Sequence, residues 1–250
     1  MMLAIDIGNT TISFGILKGK RVLRMERVDT CGSVVNLKKR IKVVLSSLKK
    51  EFGVQERVVA CSVVPKYSTL LKSMLRKEWR QSLFLAGVDI EIPIVNNYRD
   101  PKQVGMDRLV CAYAVKELYG VPAVIIDLGT AITFDVVSVK GMYEGGVIVP
   151  GLRLSAESLF KKTALLPQLH EIKAPKKLVG KNTEESILSG LFHGYGEMCS
   201  GLITQFAKEI RRAPQVVVTG GHASLMKKFI SHQVTKVDPH LVFKGLALLK

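Results

Sequence analysis

The sequence predicts an α/β protein built from two similarly folded halves, and three observations carry that expectation. The first is an internal repeat: Ile5-Asp6-Ile7-Gly8-Asn9-Thr10-Thr11-Ile12-Ser13-Phe14 returns as Ile126-Asp127-Leu128-Gly129-Thr130-Ala131-Ile132-Thr133-Phe134, with Asn9 as the one extra residue. The second is that short apolar runs bounded by Gly, Asn and Pro alternate with longer segments of helical periodicity. The third is their order, since a three-stranded meander followed by helix and strand alternation occurs twice. The halves divide into an N-terminal domain 1–116 and a C-terminal domain 117–250. No flexible linker separates them, so they are expected to pack around a common cleft.

Residues 2–7, 12–17 and 21–28 read as three strands joined by turns at Gly8-Asn9 and Lys18-Gly19-Lys20. Val34, Leu37, Ile41, Val44 and Leu48 recur at helical spacing, which predicts an amphipathic helix over 34–50. Arg57 to Val64 reads as a buried strand closed by Pro65, followed by a helix over 67–80 and a short strand near Ile92–Val95. Asn96 to Pro101 has loop chemistry, and Met106 to Leu118 reads as a helix stopped at Gly120. After Pro122 come strands on either side of the Gly129 turn, a turn at Lys140-Gly141, and a strand from Tyr143 to Val149. Helical periodicity covers 152–165. A longer helix starts at Asn182, where Glu185 completes a cap signature. Gln215 to Val218 is a buried strand, and Asp238-Pro239 is suited to start a final helix.

Composition excludes several classes. The chain of 250 residues is 47% hydrophobic, enough for a substantial core. It has no apolar stretch long enough for a membrane span, and no signal-peptide pattern precedes Asp6. Cys31, Cys61, Cys111 and Cys199 lack metal or disulfide spacing and read as reduced, mostly buried thiols of a cytoplasmic protein. The five histidines, among them His232, show no metal-ligand spacing. The formal charge of +16 could attract nucleic acid. Yet the basic residues interleave with helical apolar stripes and lack interspersed aromatics, so solvated helix faces are the preferred reading.

The repeated turn carries the chemistry. Gly8 lets the backbone approach a ligand and adopt dihedrals denied to other residues, so amides from Gly8 to Thr11 can face phosphate oxygens. Asp6 at the strand tip is suited to hydrated Mg²⁺. A plain hairpin would explain one such turn, whereas two copies in equivalent places favour a nucleoside triphosphate. Thr130 offers an amide and a hydroxyl, and Asp127 a second cation-binding oxygen. Thr219-Gly220-Gly221 suits either close nucleotide approach or an ordinary strand-to-helix turn. Gly105-Met106-Asp107-Arg108 opens a helix whose N-terminus favours an anion, and Asp107 could accept a hydroxyl proton. From these residues alone, a first-turn carboxylate paired with Arg108 is the simpler account.

Taken together, Asp6-x-Gly8-Asn9-Thr10, Ser62-Val63-Val64-Pro65, Gly105-x-Asp107-Arg108, Asp127-x-Gly129-Thr130-Ala131, Gly145-Gly146-x-Ile148-x-Pro150-Gly151, Thr163-Ala164-x-Leu166-Pro167 and Gly180-x-Asn182-Thr183 follow one another across nearly the whole chain. In this order they resemble the type III pantothenate kinases, of the acetate and sugar kinase/Hsc70/actin superfamily. The resemblance implies two ribonuclease-H-like domains with mixed sheets around a nucleotide cleft. It also implies ATP-dependent phosphorylation of pantothenate, the first step of coenzyme A biosynthesis. It carries Asp6, Ile7, Gly8, Asn9, Thr10, Thr11, Ile12 and Ser13 to the ATP phosphate loop and Thr130 to a further ATP contact. Asp107 is implied as the general base. Tyr98, Gly105, Met106, Asp107, Arg108 and Thr183 are implied as substrate contacts. Asp127 matches the ligand of a monovalent cation, K⁺ or NH₄⁺, used besides Mg²⁺. A cytoplasmic homodimer follows by the same resemblance. The rival readings are a Bvg accessory factor-like protein acting in transcription and a related kinase for another small alcohol.

Overall fold

The first apolar run forms β1 (Met2–Ile7), which turns at Gly8 into β2 (Thr11–Lys18) and then β3 (Arg21–Asp29). β1 and β2 pair antiparallel, Ile5 facing Phe14 and Asp6 facing Ser13. Ser33 caps α1 (Val34–Phe52) by accepting the Asn36 amide at 3.3 Å. That helix buries Leu37, Ile41, Leu45 and Leu48 and leaves Lys38, Lys39, Lys42, Lys49 and Lys50 exposed, the solvated basic face its periodicity suggests. β4 (Arg57–Ser62) runs parallel to β1, α2 (Pro65–Glu78) returns, and β5 (Leu83–Leu85) completes the sheet order β3-β2-β1-β4-β5. The computed structural model describes residues 1–230 and 233–250, so His232 lies outside the described residues.

Two expectations for this stretch need correction. Pro65 begins α2 instead of closing a strand to Val64, because its missing N–H costs nothing in the first turn of a helix. The strand expected at Ile92–Val95 lies instead at Leu83–Leu85, where three residues pair with Val58–Ala60. A strand that short leaves almost no periodic signal. A 3-10 turn (Pro101–Gln103) then leads into α3 (Met106–Leu118).

The second sheet repeats the first. β6 (Ala123–Leu128), β7 (Ala131–Val137) and β8 (Tyr143–Pro150) form the meander. α4 (Leu152–Lys162), α5 (Thr183–Ser189), a π turn (Gly190–Gly194) and α6 (Tyr195–Ile210) precede β9 (Gln215–Thr219). α7 (Ala223–Met226), β10 (Lys236–Val237) and α8 (Leu241–Leu248) follow. The order β10-β9-β6-β7-β8, read from β8, has the same topology as the first sheet. Asn182 caps α5 as expected, accepting the Glu185 amide at 2.9 Å. The cap position of α8 is His240, and Asp238 is buried, 3% exposed, and accepts the Tyr119 hydroxyl at 2.7 Å.

The chain divides into two compact units. One comprises Met1–Ile94, Tyr98–Ala114 and His240–Lys250; the other comprises Val95–Asn97 and Val115–Pro239. α8 therefore packs with the first sheet, where Phe243 lies against Gly15 and Gly245 against Val110 and Ala114. Side chains at those glycines would overlap their neighbours, so the close approach depends on having none. The first unit's core joins Leu3, Ile5, Ile12, Phe14, Ile41, Leu71 and Trp79. The second unit's core joins Ile126, Phe134, Leu188, Phe192, Ile203 and Val218. Beside that core, buried Asp135 accepts hydroxyls from Tyr143 at 2.8 Å and Thr133 at 3.0 Å. Among the described residues no helix is long and apolar enough to cross a membrane.

Candidate active site

In the first unit the repeated turn sits at the tip of β1. The Gly8 amide donates to the Thr11 carbonyl at 3.0 Å, closing a turn around Asn9 and Thr10, both exposed. Gly8 is not in the left-handed region, contrary to the expectation of special dihedrals. The constraint is space, because a Cβ there would lie 3.2 Å from the Thr11 carbonyl oxygen. Ile7, Ile12 and Ser13 are buried, Ile7 and Ile12 within the first unit's core and Ser13 opposite Asp6. Thr30, 8% exposed, pins the turn from β3's end: its amide donates to the Thr10 carbonyl at 2.9 Å and its hydroxyl to the Asn9 carbonyl. No sequence signal marks Thr30, because the contact spans two strands.

Asp6 is half-buried beneath this turn. The parallel register pairs it with Cys61, whose thiol donates to Asp6 Oδ1 at 3.3 Å. Burial pushes the Asp6 carboxyl from its ordinary 3.8 up to about 6. The negative charge of Asp107 adds to the rise, while the Cys61 hydrogen bond and Arg27 oppose it. Burial also raises the Cys61 thiol well above its ordinary range, so it keeps its proton and acts as a neutral donor.

Asp107 reaches Asp6's neighbourhood from α3. Ser62 ends β4 and accepts the Val64 amide at 3.1 Å, turning the chain into α2. Val63 lies against Gly105. A Cβ at Gly105 would overlap Asp107 Oδ1, so glycine leaves room for that carboxylate at the helix start. The first turn of a helix favours a carboxylate, and Asp107 Oδ1 also accepts the Arg108 amide at 2.9 Å. Met106 is packed on Gly87, whose φ of +77 allows the turn before it. Asp107 and Arg108 are half-buried, and the negative charge of Asp107 is felt at Asp6. Tyr98, half-buried, belongs to this unit too.

In the second unit the shorter copy closes one residue earlier, with the Gly129 amide donating to the Ala131 carbonyl at 3.1 Å. Asp127 is half-buried and Thr130 exposed. Gly129 and Gly220 both border the Asp127 carboxylate: a Cβ on Gly129 would come within 3.3 Å of Oδ1, and one on Gly220 would overlap it. Gly220 also requires its φ of +93, a region that side chains disfavour. The Thr219-Gly220-Gly221 segment is thus part of the aspartate's surroundings. Thr183 is the exposed first residue of α5.

A hard cation fits the Asp6 carboxylate by the chemistry of its oxygens. Among the described residues no three His, Cys, Asp or Glu side chains cluster as a self-sufficient metal cage. That donor set suits an ion held by one or two carboxylates together with substrate oxygens.

The model of one protein family, described as type III pantothenate kinase, matches residues 2–205. The chain belongs to the type III pantothenate kinase family. A type III pantothenate kinase of Persephonella marina is 43% identical over 232 residues, covering 91% of this chain and 90% of the relative. Another, from Anaeromyxobacter sp. strain K, is 38% identical over 255 residues, covering 100% and 98%. Among solved structures, the ADPNP-bound activator of 2-hydroxyisocaproyl-CoA dehydratase from Clostridium difficile superposes with a TM-score of 0.55 at 15% identity, covering 99% of this chain and 92% of that one. A ROK family glucokinase from Streptomyces griseus superposes with a TM-score of 0.51 at 12% identity, covering 98% and 97%. At such identities these two matches show the shared fold alone, an α/β arrangement of two mixed sheets.

Proposed function

We propose that this pantothenate kinase family member transfers the γ-phosphoryl group of ATP to the primary hydroxyl of pantothenate in the cytoplasm, with Asp107 as the general base. The observation that supports the assignment is Asp107 in the first turn of α3, its carboxylate accepting the Arg108 amide, in the unit that carries Asp6 and the Gly8 turn, with its negative charge adding to the raised Asp6 carboxyl. The amides from Gly8 to Thr11 hold phosphate oxygens, and Asp6 is the residue that would hold Mg²⁺. Thr130 is a further ATP contact, and Asp127 would hold K⁺ or NH₄⁺. When bound, these cations supply positive charge against the phosphates. Tyr98, Gly105 to Arg108, and Thr183 bind pantothenate.

Asp107 takes the hydroxyl proton as the pantothenate oxygen forms its bond to phosphorus, and the bond to the leaving ADP oxygen breaks. Positioning and electrostatics supply most of the acceleration in such transfers. Each repeat forms one ribonuclease-H-like domain. A homodimer is supported by the apolar exposure of α4, where Leu154 and Phe160 are 46% and 40% exposed.

A coupled ADP-release assay with pantothenate and a panel of other small alcohols tests the substrate. Release that depends on pantothenate and not on the other acceptors is expected, and preference for a different alcohol would overturn the assignment. Asp107→Asn should bind ATP and pantothenate normally and lose about a thousandfold in kcat, within the range for general bases. Near-normal turnover would remove Asp107 from that role.

A further inference from the structure

We propose that Cys61 is a positioning residue for Asp6, its thiol holding one carboxylate oxygen so that Asp6 meets the metal–nucleotide in a single orientation. This rests on the assignment of Asp6 to the Mg²⁺-bearing nucleotide. The two residues are 55 positions apart and become neighbours through the parallel pairing of β1 and β4. The Cys61 side chain is 0% exposed, and its Sγ lies 3.3 Å from Asp6 Oδ1.

A neutral donor suits this task. A lysine or arginine in its place would neutralise Asp6 and compete with a cation for it, whereas a thiol restrains the carboxylate and leaves its charge available. Restraint before binding also avoids the entropy cost of ordering the group when the ligand arrives. The second repeat carries a matching feature. The residue paired with Asp127 on the adjoining parallel strand is Thr219, also small, hydrogen-bonding and buried at 3% exposure. Both halves therefore set a compact polar side chain beside the strand-tip aspartate, on the parallel strand that adjoins it.

The test compares Cys61→Ser, which keeps a donor, with Cys61→Val, which fills the space without one. Equilibrium ATP binding is measured by calorimetry over a Mg²⁺ titration, together with the KM for pantothenate and a thermal melt. Val should raise the Mg²⁺ concentration for half-maximal ATP binding about fivefold, the scale of one hydrogen bond. Ser should stay within about twofold of the wild type, and the KM for pantothenate should not move in either variant. If Val does not fold, Cys61→Ala provides the same comparison. A folded Val or Ala variant with wild-type Mg²⁺ dependence overturns the proposal, as does a Ser variant impaired as much as Val. Asp6→Asn separates the two levels of the argument. If it is impaired and Val is not, only the role of Cys61 fails. If it too binds with wild-type Mg²⁺ dependence, the assignment of Asp6 fails as well.

Discussion

Asp6→Asn should make the ligand-free protein more stable at neutral pH while weakening nucleotide binding. The Asp6 carboxyl is raised from 3.8 to about 6, chiefly by burial and then by Asp107, so the folded protein holds this proton more tightly than the unfolded chain does. Its contribution to stability is present below pH 3.8 and is lost as pH rises to about 6, leaving a net penalty above that. At 1.36 kcal/mol per pKa unit the penalty is about 3 kcal/mol, and partial solvent access at the strand tip brings the expected value to about 2 kcal/mol.

Asparagine removes the ionisation and keeps an oxygen able to accept the Cys61 thiol. Urea unfolding of wild type and variant at pH 4, 6 and 8 measures the difference. The variant should gain about 2 kcal/mol at pH 8, less at pH 6 and almost nothing at pH 4. Saturating Mg²⁺ and ATP should close the gap at pH 8, because only the wild type has the carboxylate to bind them tightly. A variant less stable than the wild type at pH 8, or a gain of equal size at all three pH values, would refute the reasoning.

Three further outcomes follow from the second unit. Asp127→Ala should remove the stimulation of turnover by K⁺ or NH₄⁺, checked by comparing rates in K⁺ and Na⁺ buffers; a wild type equally active in both would count against that site. Gly220→Ala should destabilise the protein by about 2 kcal/mol, since its Cβ overlaps Asp127 Oδ1 and its φ of +93 becomes strained; unfolding curves report it. Tyr143→Phe removes a donor from buried Asp135 and should cost about 2 kcal/mol in the same assay.

Much of the fold is legible because it is written locally. The turns at Gly8 and Gly129 announce hairpins, the Val34-Leu37-Ile41-Val44-Leu48 stripe announces α1, and the Asn182 cap announces α5. What is not local is read poorly. β5 is too short to show a period, and Asp238 looks like a helix cap because its partner, Tyr119, is 119 residues away. The site follows the same division. Motif order points to Asp6, Asp107 and Asp127, yet from its own neighbours Asp107 looks like an ordinary first-turn carboxylate.

Two copies of an Asp-Gly turn, one expanded by Asn9, within repeated meanders and an ordered series of motifs, can be read from the residues alone. Which of these residues become neighbours is a matter of tertiary structure. Parallel pairing set Cys61 against Asp6, α3 brought Asp107 into that carboxylate's field, and Gly220 closed around Asp127. The physical reason is that turns and amphipathic stripes are encoded by a few adjacent residues. Strand register and helix placement are settled only when distant apolar faces are buried together, and the shifted carboxylate of Asp6 arises from that burial.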